Sequence, residues 1–309
     1  MSKITCTLFL TACFSLAAVA QTSPSTSANA PANSKSAAEP TPATIEQTAT
    51  SAKPVKDQAW SLLLHGTEDD NTTNRATAVR VLSLLSGERR AVTLARQALS
   101  DAKPPVRVAA AIALGELHAR SAIPKLQEAL DDKEPTVVLA AAHSLVTMKD
   151  ELAYEVYYEI LTGERKGSKG LVAGQLDTLK DPKKMALLGF QEGIGFVPFA
   201  SMGYTAIRTI VKDDSSPVRA AAARVLADDP DSDTENALVT AATGDKNPLV
   251  RTACLDALAR RGDPAVIDRI APALSDDKDP VKYTAAAAIV HLSDVAERRS
   301  QRRKSSAAH

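Results

Sequence analysis

Aromatic side chains are scarce, at 4% of 309 residues, and the chain has neither an Asn-Gly turn nor an alternating Val/Thr run, which excludes an ordinary β-sandwich. A surplus of positive charge is missing as well. The 37 Lys and Arg residues are matched by 37 Asp and Glu, so the charge needed to neutralise phosphates is not there and no nucleic-acid partner is expected. Uninterrupted apolar runs of about 18 residues are absent, so no transmembrane span is expected. Cysteine is nearly absent too, with Cys6, Cys13 and Cys254 the three in the chain.

Residues 1–20 read as a signal peptide. Lys3 supplies a short positive start, Ile4 to Val19 is mostly apolar, and Ala18-Val19-Ala20 is the small-x-small pattern that a signal peptidase cuts. Cleavage after Ala20 places the chain in a periplasm or outside the cell. A competing reading takes Leu10-Thr11-Ala12-Cys13 as a lipoprotein cleavage box with Cys13 lipidated. Removal of residues 1–20 leaves Cys254 alone, so packing rather than a disulfide must hold the exported chain. The surroundings of Cys254, Thr252-Ala253-Cys254-Leu255, indicate a buried helix interior.

Of the 35 residues from 21 to 55, 25 are Ala, Pro, Ser or Thr. So little apolar area does not offset the entropy of ordering the backbone, and the segment reads as a disordered linker.

From Trp60 onward the chain resembles itself. The second residues of Asn74-Arg75, Val106-Arg107, Val137-Val138, Lys183-Lys184, Val218-Arg219, Val250-Arg251 and Val281-Lys282 are spaced by 32, 31, 46, 35, 32 and 31. A period near 32 is about two short helices with their turns. Alanine-rich helices open at these points, for example Val108 to Leu114 and Ala220 to Leu226. Small residues let neighbouring helices approach closely. Pro105, Pro135, Pro217, Pro248 and Pro280 stand near the helix starts, where the missing amide proton costs little. An aspartate lies six residues before the basic residue in Asp69/Arg75, Asp101/Arg107, Asp213/Arg219, Asp245/Arg251 and Asp276/Lys282.

This register resembles the HEAT repeat, and most closely the short bacterial HEAT-like type also found in phycobilisome lyases. The resemblance covers roughly residues 60 to 294. It implies an all-α fold, a right-handed α-α superhelix of about seven helical-hairpin units, with the Asp and Arg residues forming a ladder between successive units. The repeat domain is expected over residues 56–296. Asp132 stands opposite Val138 and Thr178 opposite Lys184, so the ladder is expected to break in the middle. So many equivalent pairs suit scaffolding rather than catalysis, which needs a unique constellation.

The middle of the array differs from the rest. Spacing stretches to 46 around Gly163 to Gly170, and residues 163–212 read as an irregular unit. Seven of the nine aromatic residues outside the signal peptide fall between positions 154 and 204: Tyr154, Tyr157, Tyr158, Phe190, Phe196, Phe199 and Tyr204. Two readings stand: large side chains fill the volume of a distorted repeat, or an aromatic patch anchors a partner.

Other chemistry has few parts. Asp229-Pro230-Asp231-Ser232-Asp233-Thr234-Glu235 begins like a calcium loop, but Thr234 replaces the usual glycine and Thr240 the final glutamate, so a helix-capping acidic turn is expected. No histidine is followed by Glu, so the His-Glu metal pairs of HEAT-built deoxyhypusine hydroxylases are missing. No cofactor, metal or catalytic residue is expected. Residues 297–309 form a basic tail with net charge +4, suited to capping the last helix or to weak contact with an anionic surface. The functional expectation is an exported, non-enzymatic scaffold that holds a protein partner on a concave helical face, with a lyase-like or ligand-binding role for the aromatic centre as the alternative.

Overall fold

The computed structural model describes residues 42–162 and 215–307, and every regular element among them is helical. The first array contains α1 (Pro42–Thr67), α2 (Thr72–Val81), α3 (Arg89–Ala98), α4 (Pro104–Glu116), α5 (Ile123–Glu128), α6 (Pro135–Thr147) and α7 (Glu151–Thr162). The second contains α8 (Ser216–Leu226), α9 (Ser232–Gly244), α10 (Pro248–Arg261), α11 (Ile267–Ile270) and α12 (Asp279–Ala307). Residues 1–41, the irregular span 163–212 and the positions Thr178, Lys184 and Asp213 lie outside the described residues.

Two boundaries differ from the sequence reading. Helix α1 begins at Pro42, inside the stretch expected to be linker, and α12 runs on through the basic tail to Ala307. Alanine and threonine dominate 42–52, with Ile45 the one large apolar side chain, which is why composition signals a linker there, yet the helix needed by Ala59, Trp60 and Leu63 extends backward through them.

The expected alanine-rich helices form the spine. In α4, nine of the thirteen residues are buried, Val106 and Val108 to Gly115 among them, because each helix is clasped between two neighbours. Prolines occupy the first helical turn in α4, α6, α8 and α10. Three of these helices stop on a left-handed residue at the same register: His118 (φ 48°), Lys149 (φ 62°) and Gly262 (φ 70°) each stand eleven positions after the ladder residue. Glycine adopts that conformation freely; His118 and Lys149 hold it at a cost of about 1–2 kcal/mol. Two close approaches set the helix spacing. A Cβ on Gly115 would come within 2.5 Å of Ser144 Oγ, and one on Gly66 within 2.5 Å of the Tyr283 ring.

The spatial order of the helices is not the chain order. Helix α8 packs on α10, α10 on α12, α12 on α1 and α2, α2 on α4, and α4 on α6. The last repeat in sequence therefore sits directly before the first. One continuous core runs through the join, from Ala220 and Cys254 through Tyr283, Ala287 and Leu63 to Val79, Ala110 and Leu145.

Candidate functional site

Aspartates in the inter-helix turns build the ladder from the local backbone upward. The Oδ1 atoms of Asp101, Asp132, Asp245 and Asp276 accept the amide two residues on, from Lys103, Glu134, Asn247 and Lys278, at 2.7, 2.9, 2.9 and 2.9 Å. Each such turn aims the carboxylate at the previous unit. Arg75 Nε and Nη2 donate to Asp101 at 2.8 and 3.1 Å, and Arg107 Nε and Nη2 donate to Asp132 at 2.7 Å each. Arg251 Nη2 donates to Asp276 at 2.7 Å, and Arg219 pairs with Asp245. The remaining Nη1 of Arg75, Arg107 and Arg251 donates to the carbonyl of the unit's own aspartate, Asp69, Asp101 and Asp245. One guanidinium thus ties its own turn to the next one with three bonds.

The expected interruption falls one rung later than the sequence indicates. Asp132 takes the fork of Arg107, and the break comes only at Val138, a buried residue that fills the arginine position. Comparing Asp132 with Val138 in its own unit hides this, because each carboxylate is bonded by the arginine of the preceding unit. Lys282 departs from the pattern too: it pairs with Asp279 in its own turn at 2.5 Å.

At the join a different rung takes over, one that the sequence reading missed. Tyr283 Oη donates to Asp69 Oδ2 at 3.1 Å, and Asn74 Nδ2 donates to Asp279 Oδ2 at 2.8 Å. Farther along, Lys56 Nζ lies 2.7 Å from both Asp294 and Glu297. Burial would lower the Lys56 pKa, but the two carboxylates outweigh it and hold the amine above its ordinary value. Burial and the Asp69 carboxylate push the Tyr283 phenol up to about 12. The readable clue is that Lys282 is followed by an aromatic residue where other units carry a small or aliphatic one.

The aromatic candidates divide. Tyr154 and Tyr158 are 57% and 60% exposed on α7, beside Leu152 at 47%, whereas Tyr157 is half-buried against the core. Burial raises the Tyr157 phenol above its ordinary pKa. Phe190, Phe196, Phe199 and Tyr204 lie outside the described residues. The end helix of the other array, α8, also carries exposed apolar side chains, Val218, Val225 and Leu226.

Charged groups elsewhere are engaged structurally. Arg80 forks onto Glu116 at 2.8 and 2.6 Å and also donates to Ser83 Oγ. Burial would raise the Glu116 pKa, and Arg80 more than offsets it, leaving the carboxyl below its usual range. In the acidic turn, Asp229 accepts Thr234 Oγ1 at 2.6 Å and Asp231 caps α9 by accepting Asp233 N at 2.8 Å. Arg261 donates to the carbonyls of Asp229 and Asp231, placing a cation where a calcium ion would need a vacancy. Among the described residues no group of three His, Cys, Asp or Glu is arranged to hold a metal. Cys254 is buried, and its thiol is pushed up to about 11 by that burial.

No curated protein matches the chain. Among solved structures, the complex of CpcE and CpcF of phycocyanin lyase from Nostoc sp. is 24% identical, covering 78% of this chain and 85% of that one, with a TM-score of 0.29. Human deoxyhypusine hydroxylase, in complex with glycerol, is 16% identical over 84% of this chain and 100% of that one, with a TM-score of 0.28. At these scores neither likeness carries an argument about activity. The HEAT-repeat family model matches residues 58–146, 92–166 and 205–290, well over half of the chain, and the chain belongs to the HEAT-repeat family.

Proposed function

We propose that the chain is an exported, non-catalytic scaffold that binds a protein partner through α7. The observation that carries this reading is the exposure of Leu152, Tyr154 and Tyr158 on one twelve-residue helix, while Trp60 and Tyr283 are 7% and 4% exposed. Tyrosines supply contact area at low entropic cost and are enriched among the residues that dominate binding energy. Tyr157 anchors the same helix to the core, so the patch has a rigid base.

A non-catalytic role is supported by the ladder, whose described aspartates are each bonded to a basic side chain, a tyrosine or a turn amide. Export is supported by Lys3, the apolar run that follows it and Ala18-Val19-Ala20, with cleavage leaving the chain periplasmic or secreted. Lipidation at Cys13 is the rival processing route, and the mass of the mature N-terminus separates the two. The basic end of α12 gives the scaffold a weak secondary contact with anionic surfaces.

Crosslinking in native cells followed by identification of captured proteins gives the partner. With Tyr154→Ala and Leu152→Ser together, recovery of that partner falls while helical content by circular dichroism is kept. Unchanged recovery removes α7 as the binding face.

A further inference from the structure

One hairpin of the stack is built from the two ends of the described chain. Elsewhere a first helix is followed in sequence by its second helix, as α10 is by α11. Among the described residues no helix follows α12, and none precedes α1, which stands before the first ladder aspartate. In space α1 lies along α12, and α12 also packs on α2, so the two ends complete a single unit. Its polar contacts join residues far apart in sequence: Lys56 to Asp294 and Glu297, Tyr283 to Asp69, and Asn74 to Asp279. The apolar side of the seam includes Ala59, Trp60 and Leu63 from α1 and Tyr283, Ala286 and Val290 from α12, all in one core.

We propose that this seam joins two copies of the chain as well as the two ends of one. In the exchanged pair, α12 of each copy completes the hairpin that α1 of the other begins. The partner surface needs no further fitting, because both faces already match within one chain. Reciprocal exchange forms two identical seams and closes as a two-fold pair with no open face left over.

Three features favour exchange at this join. The two arrays are joined in sequence only through residues 163 to 214, between α7 and α8, so the chain's own connection does not cross the α1–α12 seam. Among the described residues no disulfide fastens the seam, since Cys254 is a free thiol buried in α10. The seam's own rung also lacks the arginine fork found at Arg75 and Arg107, using a phenol and an amide as donors instead.

The Lys56 contacts provide the test. Equal amounts of unlabelled and 15N-labelled full-length chain are held together at roughly millimolar concentration, then separated by size and treated with a carbodiimide, which couples an amine to a carboxylate in contact with it. The Lys56–Asp294 and Lys56–Glu297 crosslinks are read by mass spectrometry. In the dimer fraction about half of them carry one labelled and one unlabelled peptide, the statistical share for a two-fold pair, and the monomer fraction gives only like-labelled crosslinks. The variant Lys56→Gln loses both crosslinks and validates their assignment. Like-labelled crosslinks in every fraction overturn the proposal, whether or not a dimer forms, because the seam then closes only within a chain. Absence of any Lys56 crosslink in the unaltered chain overturns the seam itself.

Discussion

Replacing Arg107 by Ala removes a fork whose partner, Asp132, is left almost wholly enclosed. The two side chains are each 14% exposed, and the fork bonds are 2.7 Å. Burial would raise the Asp132 pKa, but the Arg107 bonds and charge more than offset it, so the carboxylate stays charged and below its usual range. Removing one member of a fully buried pair costs about 3–5 kcal/mol, and an exposed pair is worth about 0–1 kcal/mol. Asp132 keeps the Glu134 amide, which tempers the loss. A loss of about 2–3 kcal/mol follows for Arg107→Ala. Arg219 is 46% exposed in the equivalent rung, so Arg219→Ala should cost no more than about 1 kcal/mol.

Equilibrium urea denaturation followed by far-ultraviolet circular dichroism measures both losses, read as shifts in midpoint at unchanged slope. A double-mutant cycle over Arg107→Ala and Asp132→Ala isolates the pair, with an expected coupling of about 1–2 kcal/mol. Equal losses for Arg107 and Arg219, or a coupling indistinguishable from zero, would refute the view that shielding sets the worth of each rung.

Two further outcomes follow from packing and protonation. Gly115→Ala places a methyl 2.5 Å from Ser144 Oγ and 3.0 Å from its Cα, pushing α4 off α6 and costing about 1–3 kcal/mol. Gly244→Ala meets nothing within 4 Å and should be neutral or stabilising by up to about 1 kcal/mol in the same denaturation assay. His291 on α12 bonds to the Leu84 backbone, and burial, reinforced by Arg298 and opposed by Asp294, lowers its pKa. The unfolded chain then takes up the proton first, so this group's contribution is present above about pH 6.5 and is lost as the pH falls through the lowered folded value. His291→Gln should flatten that part of the stability profile; an unchanged profile would show that another group titrates.

Periodicity was enough to read the units because each obeys the same local rules: a turn aspartate, a proline in the first helical turn, and alanines where helices touch. Cys254 likewise lies in the buried helix interior that its neighbours imply. What stayed hidden depends on long-range pairing. Asp132 looks orphaned when compared with Val138, because the residue that bonds it lies in the unit before. His118 gives no sign of being a helix stop, since the left-handed turn that glycine makes at Gly262 is imposed on it by packing. The candidate site was half legible: the Tyr154, Tyr157, Tyr158 cluster is plain from spacing, but which of the three faces solvent depends on how α7 leans on α6.

The seam shows why its rung differs chemically from the others. The seam's ion pairs are carried by Lys56 with Asp294 and Glu297, so at the Asp69 rung Tyr283 supplies a neutral donor to one charge. With its phenol pushed up to about 12 it remains protonated at any physiological pH, so the bond to Asp69 is always available. Its ring also fills the space left by the missing side chain of Gly66, where a Cβ would lie 2.5 Å from the ring edge. A glycine on one end of the chain and an aromatic residue on the other are therefore complementary parts of one contact, and each makes physical sense only with the two ends together.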